Sequence, residues 1–407
     1  MATPPLSPTE IQQAVEALKQ AGGNVTLAAR NLGIPRTTFQ SRIEASKRAT
    51  LLQSQDDGID PELVMKDKIR TLEAQIASFR RETLDERYVR EKIIGLASSE
   101  PSIPNWLINP KQAKGAPGVP TLFASDWHWG EVVDPSQVGG VNEFSLEIAH
   151  QRAQTMIANA IDLLNSHMVN PNYPGIVFAL GGDMVSGDIH EELLATNEAE
   201  IMPVVLDLWG VLVWCVQTLA DKFGRVFVPC VPGNHGRNTK KMRSKGMNFT
   251  SFDWLLYNFL AKRFEDDERV VFHIPHGPDA LYSVYGHRYL LTHGCQFRGG
   301  DALIGALGPI VRGDHRKRSR NMQIGLEYDT IIMGHWHQLM QTQKFIVNGS
   351  LKGYCEYAFG SNFPYEEPRQ ALWITHPERG ITFHMPVQVD GMRRTAETPW
   401  VQWNDAR

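Results

Sequence analysis

Histidine, aspartate and asparagine recur in five short blocks of the sequence. The blocks are residues 125–130 (SDWHWG), 181–183 (GGD), 232–236 (PGNHG), 292–294 (THG) and 334–337 (GHWH). One histidine is more often a hydrogen-bonded core residue than a metal ligand, and one Gly-Asp is usually a turn. Five blocks in one chain favour mixed imidazole and carboxylate ligands, which suit Mn, Fe or Zn better than Ca or Mg. Two such ions can supply a hydroxide near neutral pH and bind phosphoryl oxygens during in-line displacement.

Short apolar runs of strand-like composition precede each block. They cover residues 121–124, 176–180, 225–231, 289–292 and 330–333, and helical segments such as 142–166, 201–223 and 252–264 lie between them. In open α/β sheets, ligands bind outside the carboxyl ends of the strands. The sequence therefore predicts an α/β domain in which the five blocks share one site.

The order of the blocks resembles the calcineurin-like metallophosphoesterase superfamily, whose motifs run DxH, GD, GNH, H and GHxH. The resemblance covers residues 119–390 and implies a two-sheet αββα sandwich. It implies two divalent metal ions, with Mn expected and Fe or Zn as alternatives. One ion would be held by Asp126, His128 and His337, the other by Asn234, His293 and His335, with Asp183 bridging them.

The same resemblance implies that His235 is the catalytic residue beside the leaving oxygen, as a proton donor or a stabiliser of charge. An acidic residue often follows this histidine in the superfamily, but here the next residue is Gly236. The partner that orients His235 must therefore lie elsewhere in the chain or be absent.

The substrate class depends on residues outside the metal ligands. Residues 181–188 (GGDMVSGD) lack the arginine that protein serine/threonine phosphatases carry in their GDYVDRG-like motif, which disfavours that class. The first block is similar to the SbcD-like branch of DNA exonucleases. Two pairs of side chains near the blocks have open roles. Asp188 and His190 would either begin a helix or touch substrate, and Trp127 and Trp129 would either pack in the core or stack on substrate.

Two basic runs, residues 237–245 and 312–320, each contain five Lys or Arg in nine positions, although the chain has a net charge of −4. A charge run is normally a solvated surface. Beside a phosphoester site, loops of this composition indicate contact with a polyanionic backbone. The expected DNA contacts are Arg237, Lys240, Lys241, Arg243, Lys245, Arg316, Lys317, Arg318 and Arg320.

Residues 7–48 have the pattern of three short helices. Ser7 and Glu10 fit a capping box, and residues 23–39 resemble the Fis-type helix-turn-helix. On the third helix, the side chains expected to face a DNA major groove are Arg36, Thr37, Gln40 and Arg42. The alternative is a helical bundle that makes only protein contacts. We assign residues 1–50 to this small all-α domain.

Residues 51–118 are interpreted as a helical linker, followed by the catalytic domain 119–390 and a C-terminal tail, 391–407. Five apolar residues at 4-3-4-3 spacing indicate a short coiled coil: Met65, Ile69, Leu72, Ile76 and Phe79. This spacing predicts either a homodimer through residues 61–82 or a helix packed on its own catalytic domain.

The chain has 407 residues, of which 42% are hydrophobic and 21% charged, an ordinary globular composition. Its four cysteines form no CxxC pair, which is typical of a reducing compartment and excludes a cysteine zinc site. No secretory leader is recognisable. We therefore expect a cytoplasmic protein. The coupling of a Fis-type helix-turn-helix with a catalytic domain of this kind on one chain suggests a bacterial, phage or prophage origin. The leading hypothesis is a DNA nuclease. The alternatives are a phosphomonoesterase or cyclic-nucleotide phosphodiesterase, or a non-catalytic DNA-binding regulator.

Overall fold

The computed structural model describes residues 7–53, 104–108, 117–297, 299 and 305–390. The chain forms two compact units, Met1–Ser98 and Ser99–Arg407. The predicted coiled coil at 61–82, most of the proposed linker 51–118 and the tail 391–407 lie outside the described residues.

The first unit is a bundle of three helices, α1 (Pro8–Gln20), α2 (Val25–Asn31) and α3 (Arg36–Gln53). The predicted capping box is confirmed, because Ser7 and Glu10 bond each other's backbone N–H groups. Buried alanines let the helices approach closely around Phe39. These contacts produce the helix-turn-helix arrangement that the sequence predicts.

The second unit is a mixed α/β domain with two sheets. Its described helices are α4 (Asn105–Ile108), α5 (Leu146–Ser166), α6 (Glu191–Thr196), α7 (Ile201–Phe223), α8 (Phe252–Arg263), α9 (Leu307–Gln323) and α10 (Glu356–Gly360). Its described strands are β1 (Val119–Ala124), β2 (Ile176–Leu180), β3 (Val226–Pro229), β4 (Val270–His273), β5 (Asp279–Val284), β6 (His287–Thr292), β7 (Thr330–Met333), β8 (Met340–Gln341), β9 (Phe345–Val347), β10 (Arg369–His376) and β11 (Gly380–Gln388).

The two sheets pack face to face, with helices on both outer faces. Six strands form the first sheet in the order β11-β10-β1-β2-β3-β4, and five form the second in the order β5-β6-β7-β9-β8. Alternation along β1 sends Leu122 toward helices α5, α7 and α8, whereas Phe123 enters the core between the sheets. In the second sheet, Ile332 faces the inter-sheet core and Ile331 packs with Ile310 of α9. These layers confirm the αββα sandwich.

The strand topology brings the five sequence blocks to one edge. Strands β1, β2 and β3 are parallel neighbours, and so are β6 and β7 in the other sheet. Each of these strands ends within three residues of the start of one block. The carboxyl ends of both parallel sets therefore deliver their loops to a common region.

Helix α7 is the one described helix that is long and apolar enough to cross a membrane by length and composition. It packs against the first sheet, and nine of its side chains, including Leu208, Leu212 and Val216, are buried there. The helix thus has a place in the core of this unit.

Residues 307–323 form a helix, α9, where the sequence analysis predicts a basic loop. Four of its six buried positions, Ile310, Asp314, Lys317 and Asn321, follow helical spacing. Because three of these four side chains are polar, the segment lacks the apolar periodicity by which amphipathic helices are recognised.

Candidate active site

The loops after β1, β2, β3, β6 and β7 bring imidazole and carboxylate groups within ligand distance of one another. Three clusters have all their ligand atoms within 4.8 Å. The clusters are Asp126 with His128 and His337, Asp183 with His293 and His335, and Asp183 with His128 and His235.

The first cluster combines residues that are far apart in the sequence, Asp126 and His128 with His337. The Nε2 atoms of His128 and His337 are 3.1 Å apart, and His337 Nε2 lies 3.4 Å from Asp126 Oδ1. The backbone N–H of His335 donates to the same Asp126 oxygen at 2.8 Å. The structure thus brings together the three residues that the resemblance assigns to one ion.

Asp183 connects this cluster to the second one. Its Oδ2 lies 2.9 Å from His293 Nε2, which is also 3.2 Å from the side-chain oxygen of Asn234. Its Oδ1 accepts the backbone N–H of His235 at 2.6 Å. Because Asp183 belongs to two clusters, it occupies the position expected of a bridging carboxylate.

The backbone is strained at these ligands. Seven described residues other than glycine have positive φ, and five of them belong to the clusters: Asp126, His128, Asp183, His335 and His337. Such conformations are uncommon, although Asp and His adopt them more readily than most residues. Backbone strain of this kind collects at functional sites, where the surrounding structure holds it in place.

Close packing behind the ligands restricts the neighbouring positions. A Cβ at Gly334 would lie 2.2 Å from Asp126 Oδ2, so only glycine lets the fifth block approach the first. The two blocks at the ends of β1 and β2 also pair through their backbones, since Asp126 N donates to Gly182 O and His128 N to Asp183 O. The loops therefore form one rigid group.

The electrostatics of the clusters suit divalent cations. Burial lowers the pKa of His128 to about 3 and that of His335 to about 4, so both imidazoles are neutral with lone pairs available. Burial alone would raise the pKa of Asp183, but His293 holds it well below its usual range. Burial alone would lower the pKa of His293, but Asp183 raises it well above its usual range, so a metal ion bound there would displace a proton. Imidazoles and carboxylates together are the donor set that Mn, Fe and Zn accept.

A buried ion pair stands behind His128. The Lys352 ammonium lies 2.6 Å from Glu131 Oε1, and Glu131 Oε2 lies 3.1 Å from His128 Nδ1. Burial would raise the pKa of Glu131, but Lys352 and His128 keep it well below its usual range. Glu131 thus orients the ligand nitrogen of His128 from behind. The sequence analysis missed both Glu131 and Lys352.

His235 has an orienting partner that its own sequence block does not supply. Its Nδ1 lies 2.9 Å from the backbone carbonyl of Ser186, to which it can donate a proton. Its ring lies 4.5 Å from the His128 ring, and burial lowers its pKa. The Nε2 atom is thereby directed away from the carbonyl, which suits proton exchange with a substrate.

A carboxylate from α8 explains the glycine after His235. A Cβ at Gly236 would lie 2.9 Å from the Asp253 carboxylate, so a side chain there would collide with it. Asp253 Oδ2 accepts the backbone N–H groups of Asp183 at 3.0 Å and Gly233 at 2.9 Å. Burial raises the pKa of Asp253 to about 7. It is a third residue that sequence reasoning missed, because an acid in the first turn of a helix is ordinary.

A cavity of about 630 Å³ opens beside the clusters. Its described lining includes ligand-cluster residues, three aromatic rings of the segment 354–363, and several acids. The acids outside the clusters are Glu131, Asp134, Glu192, Glu356 and Glu366. His190, at the start of α6, also lines the cavity and has its ring 5.8 Å from that of His235.

Trp127 and Trp129 do not face the cavity. Both are fully buried, and their indole N–H groups donate to Gln370 and Asp207 at 3.3 and 2.7 Å. They therefore pack in the core, and the stacking alternative is wrong.

The first basic run follows His235 as a loop. Arg237 is engaged internally, since its guanidinium donates to the carbonyls of Asn234 at 2.6 Å and Thr239 at 3.0 Å. The other four cations of the run are exposed: Lys240, Lys241, Arg243 and Lys245. This loop thus presents four positive charges next in sequence to the site.

The second basic run is largely tied down within α9. Lys317 is buried and pairs with Asp279, and Arg318 and Arg320 form ion pairs with Asp314 and Asp279 at 2.8 and 3.0 Å. Arg316 is exposed. The predicted basic loop is wrong here, because the helix uses these charges to attach itself to the second sheet.

In the first unit, Arg36, Thr37 and Gln40 are exposed on α3. Arg42 was expected to point outward as well, but its guanidinium forms a 2.6 Å ion pair with Glu10 of α1. The expected outward orientation of Arg42 is wrong because α1 supplies a partner for it, whereas its contact with DNA stays a prediction.

The protein-family match covers residues of the first unit alone. Residues 11–45 match the family of bacterial regulatory proteins of the Fis type, so the first unit contains a Fis-type helix-turn-helix. No curated protein matches the chain by sequence.

Similar solved structures include a conserved uncharacterised protein and predicted phosphoesterase from Streptococcus pneumoniae TIGR4. It is 10% identical, with a TM-score of 0.25, and the match covers 62% of this chain and 81% of that one. A protein described as a candidate 5′-nucleotidase from Staphylococcus aureus, in complex with alpha-ketoglutarate, is 12% identical, with a TM-score of 0.29 and coverage of 69% and 56%. The phosphopantetheinyl hydrolase of Mycobacterium tuberculosis is 12% identical, with a TM-score of 0.24 and coverage of 61% and 94%.

Proposed function

We propose that the second unit is a metal-dependent phosphoesterase that hydrolyses DNA phosphodiesters, with two Mn ions as its cofactors. The observation that carries the proposal is the position of Asp183, which lies in two of the three ligand clusters. Two divalent ions so placed would supply the nucleophile and neutralise the phosphoryl oxygens. The ligands would be the seven residues already assigned: Asp126, His128, Asp183, Asn234, His293, His335 and His337.

In this proposal the other residues of the chain position these ligands and handle the leaving group. Glu131 orients His128, and Asp253 ties the backbones of Asp183 and Gly233 together. His235 keeps its Nδ1 proton on the Ser186 carbonyl; in its doubly protonated form it would give the Nε2 proton to the leaving oxygen and return to the neutral form.

Two features favour DNA as the substrate. The chain carries a Fis-type helix-turn-helix, a module that places its recognition helix in a DNA major groove. The loop from Lys240 to Lys245 adds four exposed cations next to the third ligand block, and such charges contact phosphates. An enzyme of this kind would act in the compartment that holds the DNA, the bacterial cytoplasm.

A small phosphoester is the second candidate substrate, and the cavity favours it. Of the cationic Lys and Arg side chains, only Lys352 lines the described part of the cavity, and it is already paired with Glu131. The acids of the cavity wall would repel a chain of phosphates. A substrate with one phosphate would avoid this repulsion.

The full chain loaded with Mn²⁺ is the protein to test, on plasmid, single-stranded DNA, a bis-aryl phosphate and a mono-aryl phosphate. We expect hydrolysis of both DNA and the bis-aryl phosphate. We expect Asp183→Asn to lower both rates by at least about 100-fold and to reduce the bound metal below that of the wild type, since the shared carboxylate loses its charge.

The matched control is His315→Ala, which removes an exposed imidazole on α9 that lies outside the clusters. It should leave both rates and the metal content unchanged. Full activity of Asp183→Asn would contradict the metal centre. Hydrolysis of aryl phosphates without any DNA cleavage would transfer the proposal to the small-substrate candidate.

A further inference from the structure

Exposed aromatic rings are concentrated in one segment beside the candidate active site. Tyr357 is 73% exposed and Phe363 is 48% exposed, and Phe359 and Tyr365 are exposed as well. Four such rings within nine residues form an apolar surface of a kind that usually marks a binding site. We call residues 354–365 the aromatic wall.

The aromatic wall is held in a defined shape. The Tyr354 hydroxyl donates to the carbonyl of Phe363 at 2.7 Å, and its ring packs edge-on against Phe359 and Tyr365 at 6.4 and 5.5 Å. The rings of Tyr357 and Phe363 meet at 86°, 5.8 Å apart. These contacts keep the exposed rings rigid, so that little side-chain entropy is lost when they bind a ligand.

The chain just before the aromatic wall is attached to a metal-ligand loop. The backbone N–H of Leu351 donates to the carbonyl of Asp126 at 3.1 Å, and the Ser350 hydroxyl donates to the same oxygen at 2.9 Å. Tyr357 and Phe363 line the cavity that also contains the ligand clusters. A molecule with its phosphoester at the clusters would therefore place its adjacent group against these rings.

The charges in the cavity show which part of a nucleotide can lie there. Glu192 is exposed, and Glu356 lies in the same lining, where its Oε1 accepts the backbone N–H of Asp134. Carboxylates repel phosphates, but they accept hydrogen bonds from the exocyclic amino groups of bases. The cavity is thus suited to a base and unsuited to further phosphates.

We propose that the aromatic wall binds an unpaired base of a DNA strand, stacked on Tyr357 and Phe363, next to the phosphodiester that is cut. The inference rests on the proposed DNA phosphodiesterase function. Bases in an intact duplex are stacked on one another and cannot reach these rings, so the enzyme prefers single-stranded or frayed DNA to blunt duplex.

The test compares three substrates of the full Mn²⁺-loaded chain: a single-stranded oligonucleotide, the same backbone with abasic residues, and a blunt duplex of the same sequence. We expect the wild type to cleave the single strand at least about tenfold faster than the other two, because stacking contributes strongly for each base. The double variant Tyr357→Ala/Phe363→Ala should lose this advantage and cleave all three substrates at similar rates.

Phe259→Ala is the matched control, because it removes an exposed ring on α8 that does not line the cavity. It should behave as the wild type does. Equal rates on normal and abasic strands for the wild type would overturn the aromatic wall while leaving DNA hydrolysis intact. A wild type that hydrolyses a bis-aryl phosphate but no DNA would overturn the DNA function itself, and the wall with it.

Discussion

The two basic runs of the second unit each contain five Lys or Arg, but the first is a loop and the second is part of a helix. Residues 237–245 form a loop in which Lys240, Lys241, Arg243 and Lys245 are exposed. In residues 312–320, Lys317 and Arg320 form ion pairs with Asp279 that hold α9 to the second sheet, and Arg318 pairs with Asp314 within α9. Counting charges therefore does not show whether a basic segment faces a ligand. A basic segment is engaged within the protein when the fold places carboxylates next to its side chains, and it is exposed when the fold does not.

The largest effect is expected where a buried cation is removed. Lys317→Met removes the buried ammonium that pairs with Asp279, so the partly buried Asp279 carboxylate keeps Arg320 as its remaining ion-pair partner. We expect the free energy of unfolding to fall by about 3 kcal/mol. All ten tryptophans of the sequence follow residue 98, so their fluorescence during urea unfolding reports the second unit alone. Lys241→Met in the loop should change the stability by no more than about 0.5 kcal/mol. An equal loss of unfolding free energy in Lys317→Met and Lys241→Met would contradict the difference between the two runs.

The loop should dominate the dependence of DNA affinity on salt. Replacing Lys240, Lys241, Arg243 and Lys245 by Ser should flatten the slope of log affinity against log salt by up to about 3–4 units, because each phosphate contact contributes about 0.9. Titrations of a fluorescent duplex at several salt concentrations measure this slope. An unchanged slope would mean that the loop is only a solvated surface.

The same contrast exists within the helix-turn-helix. Arg36 is exposed on α3, whereas Arg42 is paired with Glu10. We expect Arg36→Ala to weaken duplex binding about tenfold, a typical effect of losing a groove contact. Arg42→Ala should instead lower the thermal midpoint of the first unit, followed by circular dichroism, with little change in DNA affinity at 25 °C. The reverse pattern would mean that the Arg42 ion pair opens when DNA binds.

The smallest effect is expected at Arg316, the exposed arginine in the middle of α9. Arg316→Ser should reduce the salt slope by at most about 0.9 units, the contribution of one phosphate. A reduction as large as that of the four loop substitutions would show that α9 lies along the DNA after all.

Strand-end motifs made much of the candidate site predictable from the sequence. The residues that the sequence assigns to the metal ions follow apolar strands closely. Both their residue types, Asp, Asn and His, and their positions at strand ends therefore indicate a metal site. Asp253 and Lys352 could not be found in this way. Asp253 lies in a helix whose acidic first turn is unremarkable, and Lys352 is far in sequence from Glu131, its partner. Their roles depend on tertiary contacts that no local pattern records.

Helix α9 escaped prediction for a different reason. Its inward face is made of Asp314, Lys317 and Asn321 beside Ile310. The residues that repeat at helical spacing are therefore mostly polar side chains with partners and not hydrophobic ones. Two of the charges that suggested a DNA-binding loop, Lys317 and Arg320, are the ones that attach the helix to Asp279. A buried polar stripe of this kind is recognised only when the carboxylates of the neighbouring elements are known.

The positive φ angles at the five cluster residues limit how the proposed metal site can change over evolutionary time. Any replacement there must satisfy two requirements, a side chain that donates to a metal ion and a backbone that tolerates a left-handed conformation. Cys and Glu meet the first requirement and Gly meets the second, but Asp, Asn and His meet both. The five positions hold only Asp and His. Drift toward another metal would therefore proceed by exchange among these three residue types, or through Asn234 and His293, whose φ angles are not positive.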